Sequence, residues 1–256
     1  MRNIKLCLSF DGTNYHGWQS QINAHTVQDQ LNNAITRIVN EDINVIGCGR
    51  TDANVHANEY YCNFETESEI KCSKLLLALN GVLPKDIVIK SCQEVDINFN
   101  SRYHCIKKEY IYKIYNGAVR NPFLDKYSLY YPYKLDVVLL NNVAQCFVGT
   151  HNFKGFMATG SKIKDTVRTV YSASVSREGD LVIFKVCANG FLYKMVRIMV
   201  GTLIFVERGR ILADNLPLLI KEQNRKKLGT TANPKGLFLN KVYYSSWKLK
   251  IESEKL

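Results

Sequence analysis

Hydrophobic positions along the chain follow two periods, and each period predicts one kind of element. At 4–10 apolar and polar residues alternate, which is typical of a half-buried strand. From 27 to 38 apolar residues recur at helical spacing. By these criteria the predicted strands are 4–10, 43–48, 59–64, 86–92, 109–115, 168–177, 181–188 and 238–246, and the predicted helices are 27–38, 74–80, 137–148 and 191–206.

Capping and turn residues indicate where several elements begin and end. Thr26, Ser73 and Asp136 stand where helix N-caps are expected, and the segment T-V-Q-D that Thr26 opens resembles a capping box. Gly81 should end the second helix. R-E-G-D at 177–180 predicts a hairpin turn between two strands.

Strand–helix–strand units followed by hairpins occur twice, which indicates an α+β protein with two similar halves and mixed or antiparallel sheets. We place the halves at 1–105 and 106–256. No stretch rich in Pro, Gly or Ser separates them, so they should pack together. No close sequence repeat relates them, and the similarity is expected only in the fold. A central cleft between the halves would be the default active site.

The net charge of +11 is unevenly distributed along the chain. Residues 1–105 contain 9 Lys and Arg against 12 Asp and Glu, a net charge of −3, whereas residues 106–256 contain 25 against 11, a net charge of +14. A positive excess confined to one half favours a polyanionic partner over a merely solubilising surface. The 15 tyrosines favour RNA, because basic surface mixed with aromatic rings suits unpaired bases as well as phosphates.

Composition also narrows the cellular setting. No apolar run approaches the ~20 residues that cross a bilayer, and the N-terminal pattern lacks the cleavage site of a secretory signal. The eight cysteines include no C-x-x-C pair, so we expect free thiols in a reducing cytoplasm and no zinc site. The expected protein is cytoplasmic and has neither a membrane segment nor a metal.

The segment G-C-G-R-T-D-A-N-V-H-A at 47–57 surrounds the carboxylate of Asp52 with small and polar residues. A Thr-Asp pair in such a loop often only hydrogen-bonds its own backbone in a turn. Against that interpretation, Gly47 and Gly49 permit close approach of another group, and Arg50 can contact a phosphate or enter a base stack. An ionised carboxylate there could serve as a nucleophile or a base.

Motifs along most of the chain resemble those of one family, the TruA-type tRNA pseudouridine synthases. The loop at 47–57 is similar to the family signature G-R-T-D-A-G-V-H-A. The other matching segments, in family order, are F-D-G-T-N-Y-H-G-W-Q-S-Q at 10–21, T-V-Q-D-Q-L at 26–31, F-N-S-R-Y at 99–103, N-G-F-L-Y-K-M-V-R-I-M-V-G-T-L at 189–203 and G-L-F-L-N-K-V-Y-Y at 236–244.

The resemblance implies roles for five residues. Asp52 would be the catalytic carboxylate, and Arg50 would occupy the space that a flipped-out base leaves in the stack. Tyr110 would stack on the flipped uracil, and Leu239 would line the uracil pocket. Arg197 would pair with Asp52 and hold it in the ionised form.

Without the family resemblance, physical reasoning alone supports a functional role for some of these residues more strongly than for others. Arg197 lies in an otherwise apolar helical run, and a buried guanidinium needs an anionic partner, so an ion pair is expected on physical grounds. Tyr110 and Tyr112 lie on one predicted strand, and one of the two could simply be a core residue. Leu239 alone would be an ordinary core leucine.

Two residues beside Asp52 require separate interpretation. His56 could act as a base, but the chemistry of the family uses a single acid–base residue, so we favour a hydrogen bond that shapes the loop. Asn54 stands where the family has Gly. We expect a left-handed backbone there, because Asn tolerates that conformation better than most residues with a side chain.

The resemblance implies that a homodimer isomerises uridine to pseudouridine at positions 38 to 40 in the anticodon arm of tRNA, without a cofactor or metal. Two other functions stay open. One is a catalytically weak tRNA-binding protein of the same fold, which Asn54 would favour. The other is a metal-dependent phosphodiesterase that uses Asp11, His16, Asp52 and His56, although their spacing gives no paired-carboxylate or H-x-x-x-H site.

Overall fold

A computed structural model describes residues 1–161 and 163–245 of the chain. They form two compact units: unit 1 contains Met1–Ile106 and the described residues from Leu239 onward, and unit 2 contains Lys107–Phe238. The predicted halves, 1–105 and 106–256, differ from these units at the C-terminus, because the described residues from Leu239 onward belong to unit 1. Residues 162 and 246–256 of the second predicted half lie outside the described part.

Unit 1 combines a sheet with two helices. Its elements are β1 (Arg2–Phe10), α1 (Val27–Val39), β2 (Ile46–Gly47), β3 (His56–Thr66), α2 (Cys72–Val82), β4 (Ile87–Val95) and most of β10 (Leu237–Tyr244). The strand order is β4-β1-β3-β10, and β2 pairs with β3. Leu6 on β1 lies opposite Cys62 on one side and Cys92 on the other, and it is fully buried. The alternation predicted for residues 4–10 therefore places one face of β1 in the core.

Of the two capping predictions in unit 1, one is confirmed and the other is wrong. Thr26 is the N-cap of α1: its hydroxyl accepts a hydrogen bond from the Asp29 N–H at 3.3 Å, as predicted. The prediction for α2 is wrong, because the N-cap residue is Lys71, two positions before Ser73, and its side chain makes no capping hydrogen bond. Gly81 lies inside α2, since its backbone stays helical and the helix continues to Val82.

Unit 2 combines a mixed sheet with three helices among its described residues. Its elements are most of β5 (Cys105–Tyr115), β6 (Leu129–Tyr130), α3 (Val137–Ala144), β7 (Gly149–Asn152), β8 (Val167–Glu178), β9 (Leu181–Ala188), α4 (Met195–Glu207) and α5 (Leu216–Glu222). The antiparallel order is β5-β9-β8-β7, and β6 runs parallel to β5. The predicted α+β class with mixed and antiparallel sheets is confirmed.

Helix α4 forms much of the core of unit 2. Ten of its 13 residues are buried, and it packs against α3. The helix begins at Met195, later than the predicted residue 191, because Lys194 has a left-handed backbone with φ of 60°. Gly201 permits a close approach, since a Cβ there would lie 1.7 Å from the carbonyl oxygen of Thr230. The segment around Thr230 is thereby held against the helix that carries Arg197.

Candidate active site

Asp52 lies in the loop between β2 and β3, and its side chain is partly exposed. The loop is closed at its base, where Gly47 pairs with Cys62 and the Cys48 N–H donates to the Tyr61 carbonyl at 2.8 Å. At its tip the Val55 N–H donates to the Asp52 carbonyl at 3.2 Å, which forms a turn. Strand pairing and this turn fix the backbone of Asp52 while its carboxylate stays accessible.

A second loop, residues 11–18, lies directly against the Asp52 loop. The Trp18 N–H donates to the Thr51 carbonyl at 3.4 Å. Two glycines permit this approach: a Cβ at Gly12 would lie 2.0 Å from the Val55 carbonyl oxygen, and one at Gly17, whose φ is +90°, would lie 2.3 Å from that of Thr51. No side chain fits at either position without displacing the Asp52 loop.

Aromatic rings support the Asp52 loop from the core of unit 1. Trp18 stacks on Tyr60 with ring centroids 4.0 Å apart, and the Tyr60 hydroxyl donates to the Gly49 carbonyl at 2.5 Å. A Cβ at Gly47 would lie 2.2 Å from that hydroxyl. The close approach that Gly47 permits is therefore to aromatic groups of the protein itself.

Asn54 adopts the predicted left-handed backbone, with φ of 60°. Its side-chain amide donates to the Thr13 carbonyl at 2.7 Å, and its backbone N–H donates to the Tyr15 carbonyl at 3.1 Å. The family glycine could make the second contact but not the first. Asn54 thus adds a link between the two loops, which offsets the strain of a side chain in this conformation.

His56 makes the predicted loop-shaping contact. Its ring is 1% exposed, and Nδ1 lies 3.0 Å from the Gly12 N–H nitrogen and 3.0 Å from a carboxylate oxygen of Asp11. Unprotonated Nδ1 accepts from Gly12, whereas protonated Nδ1 donates to Asp11, and either state ties the start of β3 to loop 11–18. Asp11 also accepts from the backbone N–H and the hydroxyl of Thr13.

Asp86 is a supporting residue that the sequence did not reveal. Its carboxylate accepts from the Tyr15 hydroxyl at 2.6 Å and from the Asn14 amide at 3.3 Å, and its carbonyl accepts from the Asp11 N–H at 2.9 Å. Burial raises the pKa of the Tyr15 hydroxyl most, and the hydrogen bond to the Asp86 carboxylate raises this pKa further. Tyr15 and Asp86 are 71 positions apart in the chain, so no local pattern could have predicted the contact.

The remaining candidates occupy different positions in the two units. Arg50 is exposed in the Asp52 loop, and Leu239 is 1% exposed on β10, both in unit 1. In unit 2, Tyr110 is half-buried on β5 with its ring edge-to-face on Phe191 at 5.0 Å. Tyr112 is fully buried, and its hydroxyl donates to the Asn233 carbonyl at 2.7 Å. Tyr112 is therefore the core residue of the two tyrosines.

Arg197 lies on α4 in unit 2 and is 9% exposed. Its Nε donates to the Ala232 carbonyl at 2.7 Å, and the Ala232 N–H donates back to the Arg197 carbonyl at 3.1 Å. Arg225 holds the preceding residues, because it donates to the Gly229 carbonyl at 2.8 Å and to the Thr231 hydroxyl at 3.3 Å. The orientation of the Arg197 guanidinium is thus fixed, and its ion pair with Asp52 stays a prediction.

Comparisons with known proteins agree with these motifs. A family model described as tRNA pseudouridine synthase matches residues 6–104 and 143–245. The tRNA pseudouridine synthase A of Acetivibrio thermocellus is 46% identical over 244 residues, and that of Clostridium acetobutylicum is 44% identical over 244 residues; each match covers 95% of this chain and 100% of the relative. The chain belongs to the tRNA pseudouridine synthase family.

Solved structures give a weaker similarity. A Cbf5-Nop10-Gar1 complex matches 78% of this chain and 55% of its own chain, at 15% identity and a TM-score of 0.35, which is too low to bear on function. Every helix in the described part of the chain is too short or too polar to span a bilayer. Within 1–161 and 163–245, no group of three or more His, Cys, Asp or Glu side chains could hold a metal ion.

Proposed function

We propose that this protein converts uridine to pseudouridine at positions 38 to 40 in the anticodon arm of tRNA, with Asp52 as the catalytic carboxylate. Membership in the tRNA pseudouridine synthase family makes the chain an isomerase. The observation that carries the residue assignment is the Asp52 loop itself. Hydrogen bonds and glycine contacts from residues 11–18 fix its backbone, yet the Asp52 side chain stays accessible. Such preorganisation is what a catalytic group requires.

The isomerisation requires one carboxylate and a pocket that holds the detached base. The bond from C1′ of the ribose to N1 of uracil breaks, a bond from C1′ to C5 forms, the C5 proton leaves and N1 gains a proton. Asp52 would either add to the base or take a proton from the sugar, and one carboxylate serves both routes. No electron transfer occurs in either route.

The target base must leave the stack before Asp52 can reach it. Flipping costs about a few kcal/mol. Arg50, exposed beside Asp52, would fill the gap, and Tyr110 would stack on the flipped uracil, which contributes ~1–3 kcal/mol. Leu239 would supply an apolar wall to the uracil pocket. The half-exposed ring of Tyr110 supports its assignment over the buried Tyr112.

Arg197 would pair with Asp52 and keep the carboxylate charged. The guanidinium is nearly buried, and its Nε is already directed by the Ala232 carbonyl. A buried guanidinium that is hydrogen-bonded to a carboxylate holds the carboxylate in a fixed orientation and also stabilises its negative charge. We also propose this ion pair, a homodimer and a cytoplasmic location, and these three proposals rest on the family resemblance.

Mapping the modified positions tests the proposed specificity. Unmodified tRNA transcripts with uridine at 38, 39 or 40 are incubated with the protein, and pseudouridine is located by carbodiimide labelling and primer extension. A transcript in which cytidine replaces the three uridines is the control. Stops confined to 38–40 are expected. Pseudouridine elsewhere in the control transcript would contradict the anticodon-arm assignment, although it would still show that the protein is an isomerase.

A tRNA-binding protein without catalysis is the second candidate, and Asn54 was its support. The hydrogen bonds of Asn54 keep the Asp52 loop in place, so the substitution gives no structural reason for lost activity. Binding of the transcripts without any pseudouridine would favour this second function.

A further inference from the structure

Two cysteines of unit 1 meet where α2 packs on β4. Asn80 of α2 is joined to Ile89 of β4 by two hydrogen bonds, of 2.9 and 2.8 Å. From Asn80 back to Cys72 the helix covers ~12 Å, and from Ile89 to Cys92 the strand covers ~10 Å. Near the start of the helix, Arg2 joins the Ile70 carbonyl, at 3.1 Å, to the Glu94 carboxylate, at 2.8 Å, so Cys72 lies beside Cys92 and the two thiols are close enough to hydrogen-bond.

The two thiols differ in their ionisation. The hydrogen bond from Cys92 lowers the pKa of Cys72, and the Arg2 guanidinium and the Glu94 backbone contribute in the same direction. The hydrogen bond to Cys72, together with burial, raises the pKa of Cys92. A salt bridge of 2.8 Å to Glu94 and a hydrogen bond to the Ser68 carbonyl hold Arg2 in place. Cys72 is also the first residue of α2, where the helix dipole favours a thiolate.

Four other cysteines differ from Cys72 in their ionisation. Burial raises the pKa of Cys7, Cys62, Cys146 and Cys187. Cys72 and Cys92 are both partly exposed, so a small reagent can reach them. An accessible thiolate next to a protonated thiol is the arrangement in which the first sulfur is oxidised and the second resolves it.

We propose that Cys72 and Cys92 are a reversible oxidation site that reacts with hydroperoxides. The Cys72 thiolate attacks the peroxide oxygen and becomes a sulfenic acid, while the peroxide is reduced and leaves as an alcohol, or as water from hydrogen peroxide. Cys92 then attacks the Cys72 sulfur, a disulfide forms and water is released. Two thiols lose two electrons in total, and the hydroperoxide gains them. The disulfide ties the start of α2 to β4, and a dithiol reductant reverses it.

Intact mass and thiol mapping test the proposal on the reduced, full-length protein. One equivalent of hydrogen peroxide should lower the mass by 2 Da, reduce the eight free thiols to six and yield a peptide pair linked through Cys72 and Cys92, all reversed by dithiothreitol. Cys72→Ser and Cys92→Ser should each abolish the 2 Da loss. Cys146→Ser, at another partly exposed cysteine, should not.

Several results would overturn the proposal. These are a disulfide through any other cysteine, a disulfide between two chains, a stable gain of 32 Da on Cys72, or no reaction. Peptide mapping of the unsubstituted protein gives the answer even where a serine variant does not fold. None of these readouts depends on tRNA, so failure of the oxidation site and failure of the proposed isomerase activity are distinguishable.

Discussion

The Asp52 loop and helix α4 each carry a proposed active-site residue, but different forces hold them. The loop depends on a few polar contacts with residues 11–18 and on glycines that allow two backbones to touch. Helix α4 is held mainly by burial of ten residues, among which Arg197 donates to the Ala232 carbonyl and the Thr202 hydroxyl donates to the Ile198 carbonyl. Except at Gly201, where a Cβ would lie 1.7 Å from the Thr230 carbonyl oxygen, single substitutions should therefore disturb the position of Asp52 more easily than the fold of α4.

The largest effect should come from the glycines between the two loops. Gly12→Ala places a Cβ 2.0 Å from the Val55 carbonyl, and we expect it to destabilise the protein by ~1–3 kcal/mol and to abolish most activity. Thermal unfolding and pseudouridine formation measure the two effects.

Gly81→Ala is the matched control for Gly12→Ala. It lies within α2, and a Cβ there would meet no described atom within 4 Å. Replacing a helical glycine should raise stability by ~0.5–1 kcal/mol and leave activity unchanged. Equal behaviour of the two variants would contradict the proposed role of backbone contact.

The next effect concerns Arg197. Arg197→Lys keeps the charge but loses the directed Nε contact with Ala232, so we expect kcat to fall by ~10–100-fold with a smaller change in KM. Arg210→Lys, on an exposed arginine of the same unit, is the control. Single-turnover kinetics separates chemistry from tRNA binding.

A double-variant cycle tests whether Arg197 acts through Asp52. If the two form an ion pair, Arg197→Lys should cause little further loss in an Asp52→Glu background, because the pair is already misaligned. Fully additive losses would show that Arg197 acts independently of Asp52.

A smaller effect is expected at Asp86. Asp86→Asn weakens the contacts to Tyr15 and Asn14 and should lower stability by ~1 kcal/mol and kcat several-fold. Tyr15→Phe should reproduce most of the change, because it removes the same hydrogen bond. Asp42→Asn, at an exposed carboxylate of unit 1, should change neither quantity. A wild-type rate and melting temperature for both Asp86→Asn and Tyr15→Phe would remove Asp86 from the account.

The smallest effect should come from Asn54→Gly. Glycine relieves the left-handed backbone but loses the hydrogen bond to the Thr13 carbonyl, and the two changes oppose each other. We expect kcat within about two-fold of the wild type. A rise of more than ten-fold would mean that Asn54 impairs the chemistry, and would revive the view of a catalytically weak protein.

The same comparison separates what the sequence could predict from what it could not. Local signals predicted the N-cap at Thr26 and the hairpin between β8 and β9, and the family glycine at position 54 predicted the left-handed backbone of Asn54. Motif order gave the family and placed Asp52 in its loop. The cap and the hairpin depend on residues within a few positions of one another, and each family motif is a short continuous segment, so a single sequence contains these features.

Features that depend on distant residues were missed or wrong. The contact of Asp86 with Tyr15 joins residues 71 positions apart, and the predicted strand 43–48 shortens to β2, Ile46–Gly47. β7 and α5 were not predicted, since each is short and lacks a clear periodic pattern. The N-cap of α2 was predicted wrongly because the N-cap residue, Lys71, makes no side-chain capping hydrogen bond and so leaves no capping signal in the sequence.

Tritium release measures the central claim most directly. A tRNA transcript tritiated at C5 of its uridines is incubated with the wild type, Asp52→Asn and the control Asp42→Asn, without metal or cofactor, and tRNA binding is measured in parallel. We expect release by the wild type and by Asp42→Asn, and a rate at least ~10³-fold lower for Asp52→Asn, which should still bind tRNA. Release by Asp52→Asn at the wild-type rate would contradict the assignment of Asp52 as the catalytic carboxylate.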